Sequence, residues 1–342
     1  MKEDILPWQA SNWQRLQSRL VDHTLPHALL LSGPVGLGKS LFARQLTQSL
    51  LCEDRNEETG TACGHCKPCN LFTAGTHPDI YSIGLEEDSK LIKIDQIRAL
   101  TEKLGLKSQQ GGYRVIVINP ADRLNTAAAN SLLKTLEEPG ENTVLILITD
   151  RPGQLPITIR SRCQKMSFTP PSRQMALEWL HTKLKENELE NETGQPDAAL
   201  LLAMAGGAPL KVLEINDSKY LEGRRELLGE FLALHQGKMD PVTMAGKWHK
   251  NSLESCLEWF TGWISDIVQL KFTQNPPNLR NPDLLSTFQT LADHLNIIWL
   301  YQFQDKLKQA GYLAETTVNR QLLLEDLLIT WAGSGRSHRK AG

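Results

Sequence analysis

The 342-residue sequence lacks any apolar run long enough to cross a bilayer, and neither sign of charge is in surplus. The first absence excludes a membrane-spanning helix. The second, 37 Lys and Arg against 39 Asp and Glu for a formal charge of −2, excludes a polybasic coat or an acidic tail as the organising feature. Any contact with DNA has to be local or shared with partners. The opening MKEDILPWQASNWQRL carries charges and no apolar core, so it reads neither as a secretory signal nor as a span. Nothing repeats, and no stretch is of low complexity. Cysteine is scarce: six in all, four of them gathered at positions 52, 63, 66 and 69, with Cys163 and Cys256 apart. The expected compartment is the cytoplasm, where clustered thiols point to metal rather than to disulfides.

What is present is length, with 40 % hydrophobic residues, enough for two or three folded domains. The first half alternates apolar runs (HALLLS from His27, RVIVIN from Arg114, NTVLILIT from Asn142) with helical patterns after Lys39, after Ile94 and across Ala127 to Glu138. Uninterrupted Val, Ile and Leu mark strands buried on both faces, so the expected fold is α/β with a parallel sheet wound by helices. Two prolines and a serine, Pro170-Pro171-Ser172, stop one element and cap the next. We therefore expect a P-loop domain over 1–168, a small helical lid over 169–217 whose second helix closes at Gly206-Gly207, an all-α domain over 218–333, and a disordered tail over 334–342. The apolar segment Asn319–Trp331 is expected to be buried either within the last core, the default, or against neighbouring subunits.

GPVGLGKS, Gly33 to Ser40, follows a strand and opens a helix. This is the setting of a phosphate-binding loop: Gly33, Gly36 and Gly38 let backbone N–H groups point inward, Lys39 reaches the β/γ-phosphates, and Ser40 holds Mg²⁺. Hydrolysis also needs an acidic metal ligand at a neighbouring strand end. That position holds Asn119-Pro120, and an amide brings neither charge nor a base. Asp122 reads as a cap or a solvated side chain. ATP or ADP with Mg²⁺ is thus expected to bind without efficient turnover.

Cys52, Cys63, Cys66 and Cys69 stand in a polar segment too poor in apolar residues to hold its own shape. A structural Cys₄ zinc site supplies that missing core; a redox CxxC pair and four unligated thiols are the alternatives, and His65 and His77 read as bystanders. Arg162, in Ser161-Arg162-Cys163, is on its own a solvated or paired charge. In a ring of nucleotide-binding subunits such an arginine acts in trans on a neighbour's phosphate.

The P-loop, the four-cysteine module, AGTHPDIYSI, LLKTLEEP, SRC and the helical C-terminal third, in this order, resemble the clamp loader of bacterial DNA polymerase III, most closely the delta-prime family. The resemblance spans nearly the whole chain. It implies an AAA+ module, lid and collar, and a place in a pentamer with motor (gamma/tau) and delta subunits that loads the sliding clamp on primed-template DNA. Carried over to this sequence, it implies that Gly33, Gly38, Lys39 and Ser40 form the phosphate loop, the four cysteines the zinc module, Arg162 the trans arginine finger and Thr149 the first sensor. Asn119-Pro120 and Leu210 stand where motor subunits carry an acidic pair and a second-sensor arginine. The role implied is that of a non-hydrolysing stator within the DNA-directed DNA polymerase (nucleotidyltransferase) holoenzyme. The competing readings are an ATP-hydrolysing motor subunit, with Asn119 or Asp122 holding the metal, and a nucleic-acid-binding finger built on the cysteines. The cysteine loop lacks the basic and aromatic residues that the finger reading needs.

Overall fold

The computed structural model describes residues 5–87, 89–104, 112–186, 197–216, 218–248, 252–314 and 318–334. The chain divides into two compact units, Met1–Trp179 and Leu180–Gly342.

In the first unit the three expected apolar runs form strands β1 (Ala28–Ser32), β3 (Arg114–Ile118) and β4 (Thr143–Thr149). Two further strands join them, β2 (Ile80–Ile83) and β5 (Gln164–Ser167). Both are edge strands, so their solvent-facing positions tolerate Tyr81, Ser82, Gln164 and Lys165, and an apolar run does not betray them. All pairings are parallel and the order is β2-β3-β4-β1-β5. With a phosphate-loop sequence leaving β1, this is an AAA+ P-loop domain.

One sheet face packs on α4 (Ile94–Leu104) and α5 (Thr126–Glu137) through Leu30, Ile116, Leu145 and Leu147 against Ile97, Leu100, Leu132 and Leu136, all fully buried. Asn125 begins α5 by accepting the Ala128 N–H at 2.8 Å. On the other side Phe42 of α2 (Lys39–Leu51) meets Trp13 of α1 (Ala10–Val21) and Phe168 edge-on, at 5.7 and 5.3 Å between centroids. A short α3 (Lys67–Thr73) carries the last cysteine of the cluster, and a single turn, α6 (Ile157–Arg160), precedes β5. Ser172 caps α7 (Arg173–Glu186) by accepting the Met175 N–H.

Register fixes what this sheet presents at its two ends. Ser32 lies beside Thr149 and Ser167, so β1, β3 and β4 release Gly33, Asn119 and Asp150 on one edge. Gln164, level with Leu29, starts two residues after Arg162, which puts that arginine at the opposite edge. At the usual rise per strand residue the two levels are about 13 Å apart.

The second unit has no strand among its described residues and, after the end of α7, is built from α8 (Ala198–Met204), α9 (Pro209–Ile215), α10 (Ser218–His235), α11 (Pro241–Trp248), α12 (Leu253–Leu270), α13 (Leu285–His294), α14 (Ile297–Ala314) and α15 (Arg320–Ser334). Gly206 and Gly207, both at positive φ, close α8 as the sequence implies. Trp331 stacks on Phe231 at 3.9 Å, and its Nε1–H donates to the Phe231 carbonyl. The apolar segment Asn319–Trp331, expected in the core by default, has two faces. Leu323, Leu324, Leu327 and Leu328 are buried, whereas Leu322 and Ile329 are exposed. A helical period cannot hide every residue of a run that is apolar all round. The tail expected to be disordered falls, from residue 335, outside the described residues.

Candidate functional site

At the C-terminal edge of the sheet the loop after β1 adopts the backbone its glycines allow. Gly33, Gly36 and Gly38 have φ of 151, 80 and 79°. A Cβ at Gly33 would lie 2.1 Å from the Phe168 carbonyl oxygen, so no other residue fits there. Gly38 enters α2 in the left-handed conformation. Behind the loop, Gln9, fully buried, donates through Nε2 to the carbonyls of Leu37 and Gly38 at 2.9 and 3.0 Å, and Trp8 Nε1–H donates to Leu37 at 3.0 Å. These braces come from a segment that sequence reasoning passed over, since nothing local marks a Trp-Gln pair as the floor of a loop some thirty residues away.

Lys39 is 5 % exposed, and its ammonium is spoken for three times. It donates to the carbonyls of Gly33 at 2.7 Å and Pro34 at 2.6 Å and pairs with Asp150 Oδ1 at 2.6 Å. An ammonium has three N–H groups, so a phosphate entering the loop has to displace one of these acceptors. Ser40 is exposed, and its hydroxyl accepts from Asn119 Nδ2 at 3.1 Å. The position expected to carry an acidic metal ligand thus holds a neutral amide, bonded to the Ser40 hydroxyl.

Thr149, at the end of β4, donates from Oγ1 to Asp122 Oδ1 at 2.6 Å and accepts the Arg151 N–H at 3.0 Å. This corrects the reading of Asp122 as a cap or a solvated group. Its side chain is 6 % exposed, because a one-turn helix at Ala121–Arg123 directs it back toward β4.

At the opposite edge Arg162 lies just beyond α6. Its Nε and Nη2 contact Glu137 Oε1 at 2.9 and 2.5 Å, and Nη1 donates to the Thr158 carbonyl at 3.0 Å. The side chain remains 36 % exposed. With the phosphate loop on the far edge, Arg162 cannot serve this chain's own loop. Cys163, next to it, points into the core, where burial pushes its thiol up to about 11 and leaves it chemically quiet.

The four clustered cysteines converge as their spacing implies. Cys52 caps α2, Cys66 starts α3, and all four Sγ atoms lie within 4.8 Å of one another, none in a disulfide. The Cys52–Cys66 separation is 3.8 Å, which matches the edge of a tetrahedron with metal–sulfur bonds of about 2.3 Å. The donor set therefore fits zinc. Backbone N–H groups of Cys63, His65 and Cys66 point at the sulfurs of Cys52 and Cys63. At Cys63 burial opposes ionisation, but the N–H groups of His65 and Cys66 outweigh it and bring the thiol down to about 6. His77 stays apart, buried, with Nδ1 accepting the Asp79 N–H. His65 is exposed, 3.6 Å from Asp54, and with Asp54 and Cys63 forms a second group of possible ligands.

The profile of the family described as DNA polymerase III, delta subunit, matches residues 8–172, and that of its C-terminal domain matches residues 218–333. The DNA polymerase III subunit delta' of Pseudomonas aeruginosa is 36 % identical over 96 % of this chain and 98 % of its own. The chain belongs to the DNA polymerase III delta-prime family. The Escherichia coli member is 31 % identical over 94 % of both chains. Outside the delta-prime family itself, DNA polymerase III subunit tau of Bacillus subtilis is 30 % identical over 59 % of this chain and 35 % of its own. Among the described residues no single helix is long and apolar enough to cross a membrane.

Proposed function

We propose that this delta-prime chain is the stator of a pentameric clamp loader, in which motor (gamma/tau) subunits hydrolyse ATP and load the sliding clamp on primed-template DNA for chromosomal replication. The observation that carries this reading is the contrast between a phosphate loop whose lysine is already satisfied and an arginine displayed at the far edge of the same sheet. In this reading Gly33, Gly36, Gly38, Lys39, Ser40 and Thr149 form a nucleotide site that binds weakly and does not turn over, since Asn119 offers Mg²⁺ no charge. Arg162 completes the ATP site of a neighbouring motor subunit. Cys52, Cys63, Cys66 and Cys69 hold a structural zinc ion that fixes the polar loop after α2. Residues 169–217 act as the lid and residues 218–333 as the collar through which the chain joins its motor and delta neighbours.

The test is Mg-ATP turnover by the purified chain beside a Lys39→Ala control, followed by turnover of the reconstituted loader carrying Arg162→Ala. The expected outcome is no turnover by the chain alone, and a loader that assembles but loses about 10³-fold or more at the site the arginine serves. Turnover by the isolated chain that disappears with Lys39→Ala would make it a motor subunit, the reading that the intact glycine pattern favours. Unchanged loader rates would remove the finger role.

A further inference from the structure

Arg162 and Glu137 are 25 residues apart in sequence and meet because α5 and α6 pack together at the N-terminal edge of the sheet. Glu137 is the last residue of α5. A guanidinium has five N–H groups in a rigid plane. Two make hydrogen bonds, Nε–H to one oxygen of Glu137 and one Nη1–H to the Thr158 carbonyl, while Nη2 lies 2.5 Å from the same Glu137 oxygen as an ion-pair contact. One N–H on each terminal nitrogen is left over, and two parallel N–H groups are what a phosphate accepts side by side.

We propose that Glu137 is the positioning residue of Arg162, holding the inner edge of the guanidinium so that its outer edge is presented, already ordered, to a phosphate bound by another subunit. This rests on the finger reading above. The physical case is one of orientation. An arginine leaving a single helical turn samples many rotamers, few of which reach outward with the plane correctly turned, and each misplacement at a reacting phosphate is costly. Because the Thr158 acceptor is backbone, Glu137 is the half of the clamp that belongs to a side chain. The carboxylate also offsets part of the arginine's charge. If masking were its purpose, removing it would speed the neighbouring site rather than slow it.

Steady-state ATP hydrolysis by the loader reconstituted with its motor subunits separates these cases. Glu137→Ala is expected to lower kcat about tenfold with KM for ATP unchanged, as loss of orientation without loss of binding requires. Glu137→Gln, which keeps an oxygen acceptor, is expected to restore most of that loss. In an Arg162→Ala background, Glu137→Ala is expected to cost nothing further. A rate unchanged or raised by Glu137→Ala, or a loss that adds to that of Arg162→Ala, would overturn the proposal. Glu137 is half exposed, so the variants should fold, and matching thermal midpoints confirm it. If Arg162→Ala alone leaves the rate intact, the finger reading fails; if it lowers the rate while Glu137→Ala does not, only the positioning role does.

Discussion

Lys39 and Arg162 sit at opposite edges of one parallel sheet, each a cation against a carboxylate, with opposite consequences. Lys39 is buried and has given all three N–H groups to Gly33, Pro34 and Asp150. Arg162 is more than a third exposed and has given two of its five N–H groups to hydrogen bonds, with Nη2 held against the same carboxylate. The difference lies in the donors left over after the ion pair is made. A compact ammonium is exhausted by three acceptors, whereas a planar fork can be held by one side and still offer the other. The lysine is turned inward and the arginine is displayed.

The comparison breaks most sharply if the fork itself is removed. Arg162→Lys keeps the charge but lacks the rigid plane in which one edge is held by Glu137 while two parallel N–H groups grip a phosphate, so the site the arginine serves should lose about 10²-fold or more in ATP turnover. A rate within twofold of the parent would reduce the arginine's role to charge. Metal removal separates the edges in another way. The cysteine cluster begins where α2 ends, so chelation or Cys66→Ser should speed amide exchange in α2 and the loop after it by about tenfold or more, while residues 157–163 stay protected. Equal loss at both places would mean that the cluster supports the whole unit.

A smaller effect is expected at Asp150. Its replacement by alanine frees one donor of Lys39, and because Asp150 is 41 % exposed the gain is that of a screened pair, about 1 kcal/mol, or roughly fivefold tighter nucleotide binding by titration calorimetry. Weaker binding would make Asp150 part of the cradle instead of its competitor. The smallest change concerns His77, a buried ring near the Asp79 carboxylate. Burial lowers its proton affinity, and the Asp79 carboxylate only partly opposes this. The folded state therefore keeps the neutral ring while the unfolded state takes a proton near the ordinary value of about 6.5. Stability is full above that value and is lost as pH falls through it. His77→Asn should flatten the thermal midpoint between pH 7 and pH 5 by about 2 °C; an unchanged slope would assign the acid sensitivity elsewhere.

Much of this was legible in the sequence. Runs of Val, Ile and Leu announced the three central strands because both faces are covered, and the glycine spacing announced the phosphate loop because only that backbone needs them. The cysteine spacing announced a tetrahedral donor set. The edge strands β2 and β5 were not legible, since half their positions face solvent and mimic loops. Neither were the pairings that decide what the site does. Gln9 beneath the loop, Asp150 on Lys39, Asp122 on Thr149 and Glu137 on Arg162 join residues 25 to more than 100 positions apart. Each of these polar residues has an unremarkable neighbourhood in sequence, and only the fold brings the partners together.

The phosphate loop has a second tenant. The space that a side chain at position 33 would need is filled by the carbonyl of Phe168, the residue that directly follows the sheet's last strand. Glycine is required there for that strand to dock, whether or not a nucleotide ever enters. A chain that had given up phosphate altogether would still have to keep this glycine. The opening glycine of the motif is thus a record of how the sheet is closed, and what the loop can hold is decided by where the nitrogen of Lys39 points.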